Sequence, residues 1–355
     1  MARPLDLGIF LPNAKGGAIM ATSEPPQYMP TWELNKKNAL IAENAGFDFL
    51  LSMVKWRGFG GVTNHWDYSL ESFTLMSAVA AVTSRIQLYA SVAIPTMHPG
   101  VIAKMTSTID DISNGRFGVN IVSGWNKFEY SQMGLWRGDD YFKYRYDYAT
   151  EYLDVLRKLW ETGRTSYDGQ FFKLDDCKSY PQPSRKIPII CAGQSDRGIQ
   201  FTAEYADYSF LGGQDDSLED LGRLNQKLQA CAKQYGKNVG AYVLLTVIAE
   251  ETDEAAFAKR DFFIENSDRE AMQTWSGNAG QDFSRATYKE LAVQTFMAIP
   301  YVAGSYATVA KYLDGLAENG IAGVCFIVPD YETDLKKIID KVLPLCKYQK
   351  QAVAA

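Results

Sequence analysis

Histidine is almost missing from this 355-residue chain, which has only His65 and His98. A histidine-built metal centre therefore has little to draw on, and no HExxH or paired CxxC spacing appears. A Ser-His-Asp triad would have to use one of these two residues, and no GxSxG turn accompanies them. Walker and GxGxxG glycine signatures are missing too, which removes the nucleotide triphosphatase and Rossmann readings. No apolar run reaches the roughly 20 residues needed to cross a bilayer. Lys and Arg number 36 against 42 Asp and Glu, and the signs are interspersed. A net charge of −6 so distributed excludes a basic nucleic-acid footprint. The cysteines (Cys177, Cys191, Cys231, Cys325, Cys346) are odd in number and widely spaced, which suits free thiols in a reducing, cytoplasmic setting. The chain enters an apolar strand at Leu7, with no signal-peptide pattern before it.

What the chain does have is a regular alternation of short apolar runs with longer amphipathic segments. The runs predict eight strands: Leu7–Leu11, Phe47–Met53, Ile86–Ala93, Phe117–Val122, Ile187–Ala192, Tyr208–Gly212, Val243–Ala249 and Val324–Val328. Between them, Thr31 is positioned to cap a helix carrying Leu34, Ile41, Ala42 and Ala45 on one face and ending at Gly46. Tyr148, Tyr152, Val155, Leu156 and Leu159 recur at helical spacing before Gly163, and Ser305–Ala317 reads as another amphipathic helix. Continuous apolar strands separated by helices mean a parallel sheet covered on its faces. Eight such units predict an α/β fold, a (β/α)₈ TIM barrel formed by residues 1–355 as a single domain. A barrel of this kind needs about 250 residues, so about 100 are insertions. They are placed at 13–29, 56–67, 164–180 (a hairpin turning at Asp168-Gly169) and 252–300.

Barrel active sites form at the C-terminal ends of the strands, which directs attention to the polar residues there. In Gly115-Arg116-Phe117-Gly118-Val119-Asn120-Ile121-Val122-Ser123-Gly124-Trp125, Asn120 offers both donor and acceptor, and Trp125 can stack on a planar group. Asn120 equally suits the satisfaction of backbone at a strand end, and the residues alone leave both readings open. Ser91 on the third strand either bonds neighbouring backbone or aims its hydroxyl at a reactant beside Asn120. Lys55 and Arg57 follow the second strand and read as a nucleophile, an anion contact or solvated charges. Ser123, His98 and Glu129 lie near strand ends, with His98-Pro99 reading as a helix start. Arg145-Tyr146 and the Gly193-Gln194-Ser195-Asp196 turn suggest phosphate contacts, through a guanidinium and a helix N-terminus respectively.

Eight strings carry a family resemblance in a fixed order: PQYMPTWELN (26–35), SMVKWRGFGG (52–61), LESFTLM (70–76), AVTSRIQLYA (81–90), GRFGVNIVSGW (115–125), GDDYFKYRYDYATEYL (138–153), CAGQSD (191–196) and GSYATVAKYLD (304–314). With them the chain resembles the bacterial luciferase-like flavin monooxygenases, and within these the branch that opens the uracil ring. The resemblance implies FMN at the barrel mouth, with flavin contacts on Val54, Lys55, Asn120, Glu129, Arg145, Tyr146 and Ser195. It implies FMNH₂ from a separate NADH-using flavin reductase and O₂ as co-substrate, handled by Ser91 and Asn120. A flavin N5 peroxide would attack a ring carbonyl of uracil or a related N-heterocycle and give a ureidoacrylate-type product. Trp125 would form a wall of the substrate pocket. A homo-oligomer is expected from the family habit. The chain departs from the family at Ser91 and Ser123, where threonine is usual, along 92–99, and over 252–300. A luciferase-like monooxygenase for another small carbonyl, sulfur or halogenated compound, or a non-catalytic flavin-binding barrel, are the alternatives.

Overall fold

All eight expected strands are present in the computed structural model of the chain, which describes residues 2–193, 195–212, 217–277 and 286–348. They are β1 (Asp6–Phe10), β2 (Phe49–Ser52), β3 (Gln87–Ala93), β4 (Phe117–Val122), β7 (Ile189–Ala192), β8 (Tyr208–Leu211), β9 (Gly240–Glu250) and β11 (Gly323–Ile327). The neighbours run β9-β11-β1-β2-β3-β4-β7-β8, every pairing is parallel, and β8 pairs back with β9 from Tyr208↔Gly240 to Leu211↔Val243. The sheet is thus a closed eight-stranded barrel. The expected hairpin is also found, as β5 (Arg164–Asp168) with antiparallel β6 (Lys173–Lys178).

Helices α1 (Trp32–Asn44), α2 (Ser72–Val82), α3 (Pro99–Ile112), α4 (Lys127–Ser131), α5 (Tyr141–Thr162), α6 (Asp196–Tyr205) and α7 (Leu218–Gln234) follow the successive strands. α8 (Asp253–Glu265), α9 (Arg269–Trp275) and α10 (Tyr288–Thr295) fill the last insertion, and α11 (Tyr306–Glu318) and α12 (Asp334–Lys337) complete the outer layer. Among the described residues, no helix is long and apolar enough to cross a membrane.

The barrel interior is filled by aromatic rings laid over glycines of the adjacent strand. Phe49 covers Gly8, Tyr89 covers Gly118, Tyr208 covers Gly240 and Tyr242 covers Gly323; a Cβ at these glycines would lie 2.2 to 2.8 Å from the ring. Tyr242 also stacks on Phe49 and Tyr208, with centroids 4.9 and 4.5 Å apart. Each such ring contributes about 1.5–3 kcal/mol by burial, and together they close the N-terminal half of the barrel. Chemistry is left to the other rim.

Two features differ from the sequence expectation. A ninth strand, β10 (Tyr301–Ser305), joins the main sheet because β9 is eleven residues long and its second half, Thr246–Glu250, projects past the barrel to pair with it. On α1 the buried face is Asn35, Asn38, Ala39, Ala42 and Glu43, while Leu34 and Ala45 lie outside it. The polar members of that face are tied to backbone groups. Asn35 donates to the carbonyls of Thr31 and Pro12, Asn38 donates to Leu34, and Glu43 accepts from the amides of Ser84, Arg85 and Ile86. The other helix signals hold: Thr31 accepts from the Leu34 amide, and Gly163 ends α5 in the left-handed conformation.

Three of the insertions meet over the C-terminal rim. The Met20 amide donates to the Thr295 carbonyl and the Asp268 amide to the Met20 carbonyl. Asp268 accepts from both the amide and the hydroxyl of Thr63, at 2.9 and 2.7 Å. Trp66 Nε1 donates to the Gly17 carbonyl at 2.5 Å. Residues far apart in sequence thereby form one cap.

Candidate active site

Strands β3 and β4 place Ser91 opposite Asn120, both on the interior side of the barrel and two residues beyond the Tyr89–Gly118 pair. Asn120 Nδ2 donates to Ser91 Oγ at 2.9 Å, and Ser91 Oγ donates to the Ser52 carbonyl at 2.6 Å. Ser91 is therefore held from both sides. Its amide donates to Ser72 Oγ at 2.8 Å, and Ser72 Oγ lies 2.5 Å from Ser52 Oγ. This three-serine cluster fixes the alcohol, so that Asn120 is oriented through one amide hydrogen. No described residue engages the Asn120 Oδ1, and the side chain is only half buried. Of the two readings of Ser91, backbone bonding is the one the structure shows: the hydroxyl donates to the Ser52 carbonyl and accepts from Asn120.

The loop after β2 is anchored at every step. Asn13 Nδ2 donates to the Met53 carbonyl and Asn13 Oδ1 accepts from the Met53 amide, while Ser69 Oγ donates to the Lys55 carbonyl. Lys55 is almost fully buried. Its ammonium lies 2.9 Å from Glu129 Oε2 and 4.5, 5.6 and 5.0 Å from the ring centres of Phe59, Trp66 and Trp125. Burial lowers the Lys55 pKa, and the facing Glu129 carboxylate opposes that shift. Glu129 Oε1 accepts from the Trp56 amide at 2.7 Å, so both of its oxygens are engaged within the loop. Val54 is half buried between these anchors, and Arg57 is exposed.

A second polar group lies where α5 meets α6. Ser195 caps α6 by accepting from the Gly198 amide at 3.1 Å. The Tyr146 hydroxyl lies against Gly198, where a Cβ would stand 2.5 Å from it, and a Cβ on Gly193 would stand 2.8 Å from the Gly198 Cα. The Arg145 guanidinium sits 5.0 Å from the Tyr146 ring centre, and Arg197 ties α6 to α5 through Asp147 at 2.8 Å. A helix N-terminus lined by glycines, with a phenol and a guanidinium beside it, can receive an anion. Gln194, part of the same turn, lies outside the described residues.

Beneath the cap is an open pocket of about 600 Å³ lined by Trp66, Trp125, Trp275, Ser276, Gln294, Met297 and Ile299. Trp125, 44% exposed, links this pocket to the Lys55 loop by facing Phe59. A separate 430 Å³ hollow at the opposite end is floored by Tyr89, Tyr208 and Tyr242 and rimmed by charges such as Asp6 and Lys186. It lies on the rim where barrels carry stability residues. Of the two hollows, the first shares Trp125, five residues after Asn120, with the rim that carries the polar pair.

The residues singled out from the sequence occupy one arc of the rim. Val54 and Lys55 follow β2, Ser91 is on β3, Asn120, Trp125 and Glu129 are on or after β4, and Ser195 follows β7; these strands are consecutive neighbours. His98 takes the structural role expected for it, capping α3 by accepting from the Gly100 amide. Ser123 contributes its carbonyl to the Tyr141 hydroxyl. Sequence reasoning missed Ser52 and Ser72, although both lie in the quoted strings. It also missed Phe59, Trp66, Trp275 and Gln294, whose grouping depends on the cap.

A closed parallel barrel with a braced carboxamide–alcohol pair, an anion cradle and an aromatic pocket on one rim defines a small-molecule barrel enzyme. The luciferase-like monooxygenase family model matches residues 5–323, and the chain belongs to that family. The chain is 45% identical over 351 residues to pyrimidine monooxygenase RutA of Serratia proteamaculans (strain 568), covering 97% of this chain and 96% of that protein. The crystal structure of the long-chain alkane monooxygenase LadA matches with a TM-score of 0.82 at 22% identity, covering 97% of this chain and 91% of that one. Riboflavin lyase RcaE, crystallised with modified FMN and riboflavin, matches with a TM-score of 0.81 at 20% identity, covering 96% and 91%. These two structures show a shared fold. The barrel expected from the sequence, and membership of a monooxygenase family, are both established.

Proposed function

We propose that the protein is a two-component monooxygenase that uses reduced FMN and O₂ to open the ring of uracil or a related pyrimidine, giving a ureidoacrylate-type product. The flavin would be reduced by a separate NADH-dependent reductase. The observation that carries this reading is the Asn120–Ser91 pair, locked at 2.9 Å on the interior of the rim with the Asn120 Oδ1 engaged by no described residue. The 45% identity to a pyrimidine monooxygenase over nearly the whole chain supports the substrate class.

The residues present fit FMN. The Ser195-capped N-terminus of α6 would hold the phosphate, with Tyr146 and Arg145 as further donors, and Gly193 and Gly198 pack so closely that a Cβ on either would collide. Val54 and the anchored Lys55 backbone would border the ring system, as would Asn120. Lys55 and Glu129 would act through the loop that they hold, since each neutralises the other. When bound, reduced flavin supplies the electrons that activate dioxygen. The chain's own contribution is orientation. Ser91, fixed by Ser52 and Ser72, would hold the Asn120 carboxamide toward the reacting oxygen, and Trp66 and Trp125 would offer flat apolar walls to the substrate ring.

The test is a coupled assay with purified protein, a flavin reductase, NADH, FMN and O₂. Uracil should disappear and an opened-ring acid should accumulate. Intact uracil, with loss of a sulfone or halogenated phenol offered in parallel, would instead favour the alternative substrate class.

A further inference from the structure

The aromatic pocket contains one carboxamide, which the reading above leaves without a task. Trp66 already gives its indole N–H to Gly17, and Ser276 gives its hydroxyl to the Gln273 carbonyl at 3.1 Å. Met297 and Ile299 present apolar surface. Gln294 differs: it lines the pocket, and its Oε1 is enclosed without a hydrogen-bond partner among the described residues. A buried amide oxygen left in this state is costly unless a ligand or water completes it.

Gln294 is also held in place. It lies on α10, whose start is fixed by a reciprocal capping box between Thr287 and Glu290. Its own carbonyl accepts from the Met297 amide, and the next carbonyl, that of Thr295, accepts from Met20. The backbone is therefore tied to two parts of the cap, and the terminal amide retains its freedom about a broad sp³–sp² torsion. Rotation about it would turn either Oε1 or Nε2 toward the pocket.

We propose that Gln294 is a substrate-recognition residue that reads the edge of a cyclic imide or lactam, a ring N–H beside a ring carbonyl. A carboxamide carries an acceptor and a donor side by side. Its complement is a planar ring with the same two groups in opposite order, and Trp66, Trp125 and Trp275 offer flat faces for that ring. The inference rests on the pyrimidine reading and deepens it by naming the chemical feature that selects the substrate. It also gives the 252–300 insertion a purpose, since that insertion delivers Gln294.

The experiment compares wild type with Gln294→Met, which keeps length and removes both hydrogen-bonding groups, and Gln294→Glu, which keeps shape and removes the donor. Each is assayed on uracil and on 1,3-dimethyluracil, whose ring nitrogens are blocked. Both variants should raise the KM for uracil by about tenfold or more, the equivalent of one lost hydrogen bond, with the loss falling on KM more than on kcat. Wild type should reject the dimethyl compound, and Gln294→Met should lose most of that preference. If wild type turns over uracil while both variants keep its KM within about twofold and retain the preference, the role of Gln294 is overturned and the pyrimidine reading stands. If wild type leaves uracil untouched, the reading fails and the inference falls with it.

Discussion

Removing Glu129 alone should damage this protein more than removing Glu129 and Lys55 together. The two side chains are 4% and 2% exposed, and their charged atoms are 2.9 Å apart. In Glu129→Leu the ammonium would stay among three aromatic rings with no anion, a situation that costs about 3–5 kcal/mol. Cation–π attraction from Phe59, Trp66 and Trp125, about 2 kcal/mol for a desolvated contact, offsets part of this. Lys55→Met leaves the opposite problem, a buried carboxylate whose remaining partner is the Trp56 amide. The double variant Lys55→Met/Glu129→Leu removes both charges and should lie within about 1–2 kcal/mol of wild type. The assay is equilibrium urea unfolding followed by tryptophan fluorescence, applied to all four proteins. Independent costs that add in the double variant, with a coupling below about 0.5 kcal/mol, would refute the view that each charge is there for the other. A pH series adds a sign check. Burial depresses the Lys55 pKa, and removing Glu129 depresses it further. Between that lowered value and the ordinary 10.5 the unfolded chain binds more protons, so Glu129→Leu should gain stability as pH rises through this window.

Three further predictions concern other parts of the account. Gly198→Ala puts a methyl 2.5 Å from the Tyr146 hydroxyl and 2.9 Å from the Gly193 Cα and should weaken FMN binding by about tenfold or more, measured by flavin fluorescence quenching; an affinity within about twofold of wild type would take this turn out of the FMN site. His65 is buried, with its pKa pushed down to about 3, so the unfolded chain binds more protons from there up to 6.5 and stability falls as pH drops through that range. Relative to His65→Phe, wild type should lose about 2–3 kcal/mol between pH 7 and 4.5 in urea titrations, and parallel curves would contradict this. Asn120→Ala should remain folded, because Ser91 keeps its bond to the Ser52 carbonyl, while reduced FMN is oxidised to hydrogen peroxide without ring opening; unchanged yield of product per flavin would take Asn120 out of the mechanism.

The barrel was legible because each of its strands is a continuous apolar run bounded by helix signals, and that pattern has few three-dimensional solutions. β10 was not, because Tyr301-Val302-Ala303-Gly304-Ser305 is short, ends in a helix cap, and becomes a strand only through the overhang of β9. The face of α1 was misread because Asn35, Asn38 and Glu43 are buried by virtue of hydrogen bonds to backbone, which hydropathy does not register. In the site, Asn120 and Ser91 could be picked out because a polar residue near the end of an apolar strand points to the rim. The environment of Lys55 could not be read, since its rings come from positions 59, 66 and 125 and its anion from 129. Gln294 left no local sign at all. It matters only because an insertion after β9 folds back over loops that follow β1 and β2.

The most direct test of the central claim is a single turnover in ¹⁸O₂, with wild-type protein, pre-reduced FMN and uracil and no reductase present. Mass spectrometry should find an opened-ring acid carrying one oxygen atom from the gas. Unreacted uracil, or a product whose new oxygen comes from water, would contradict the account.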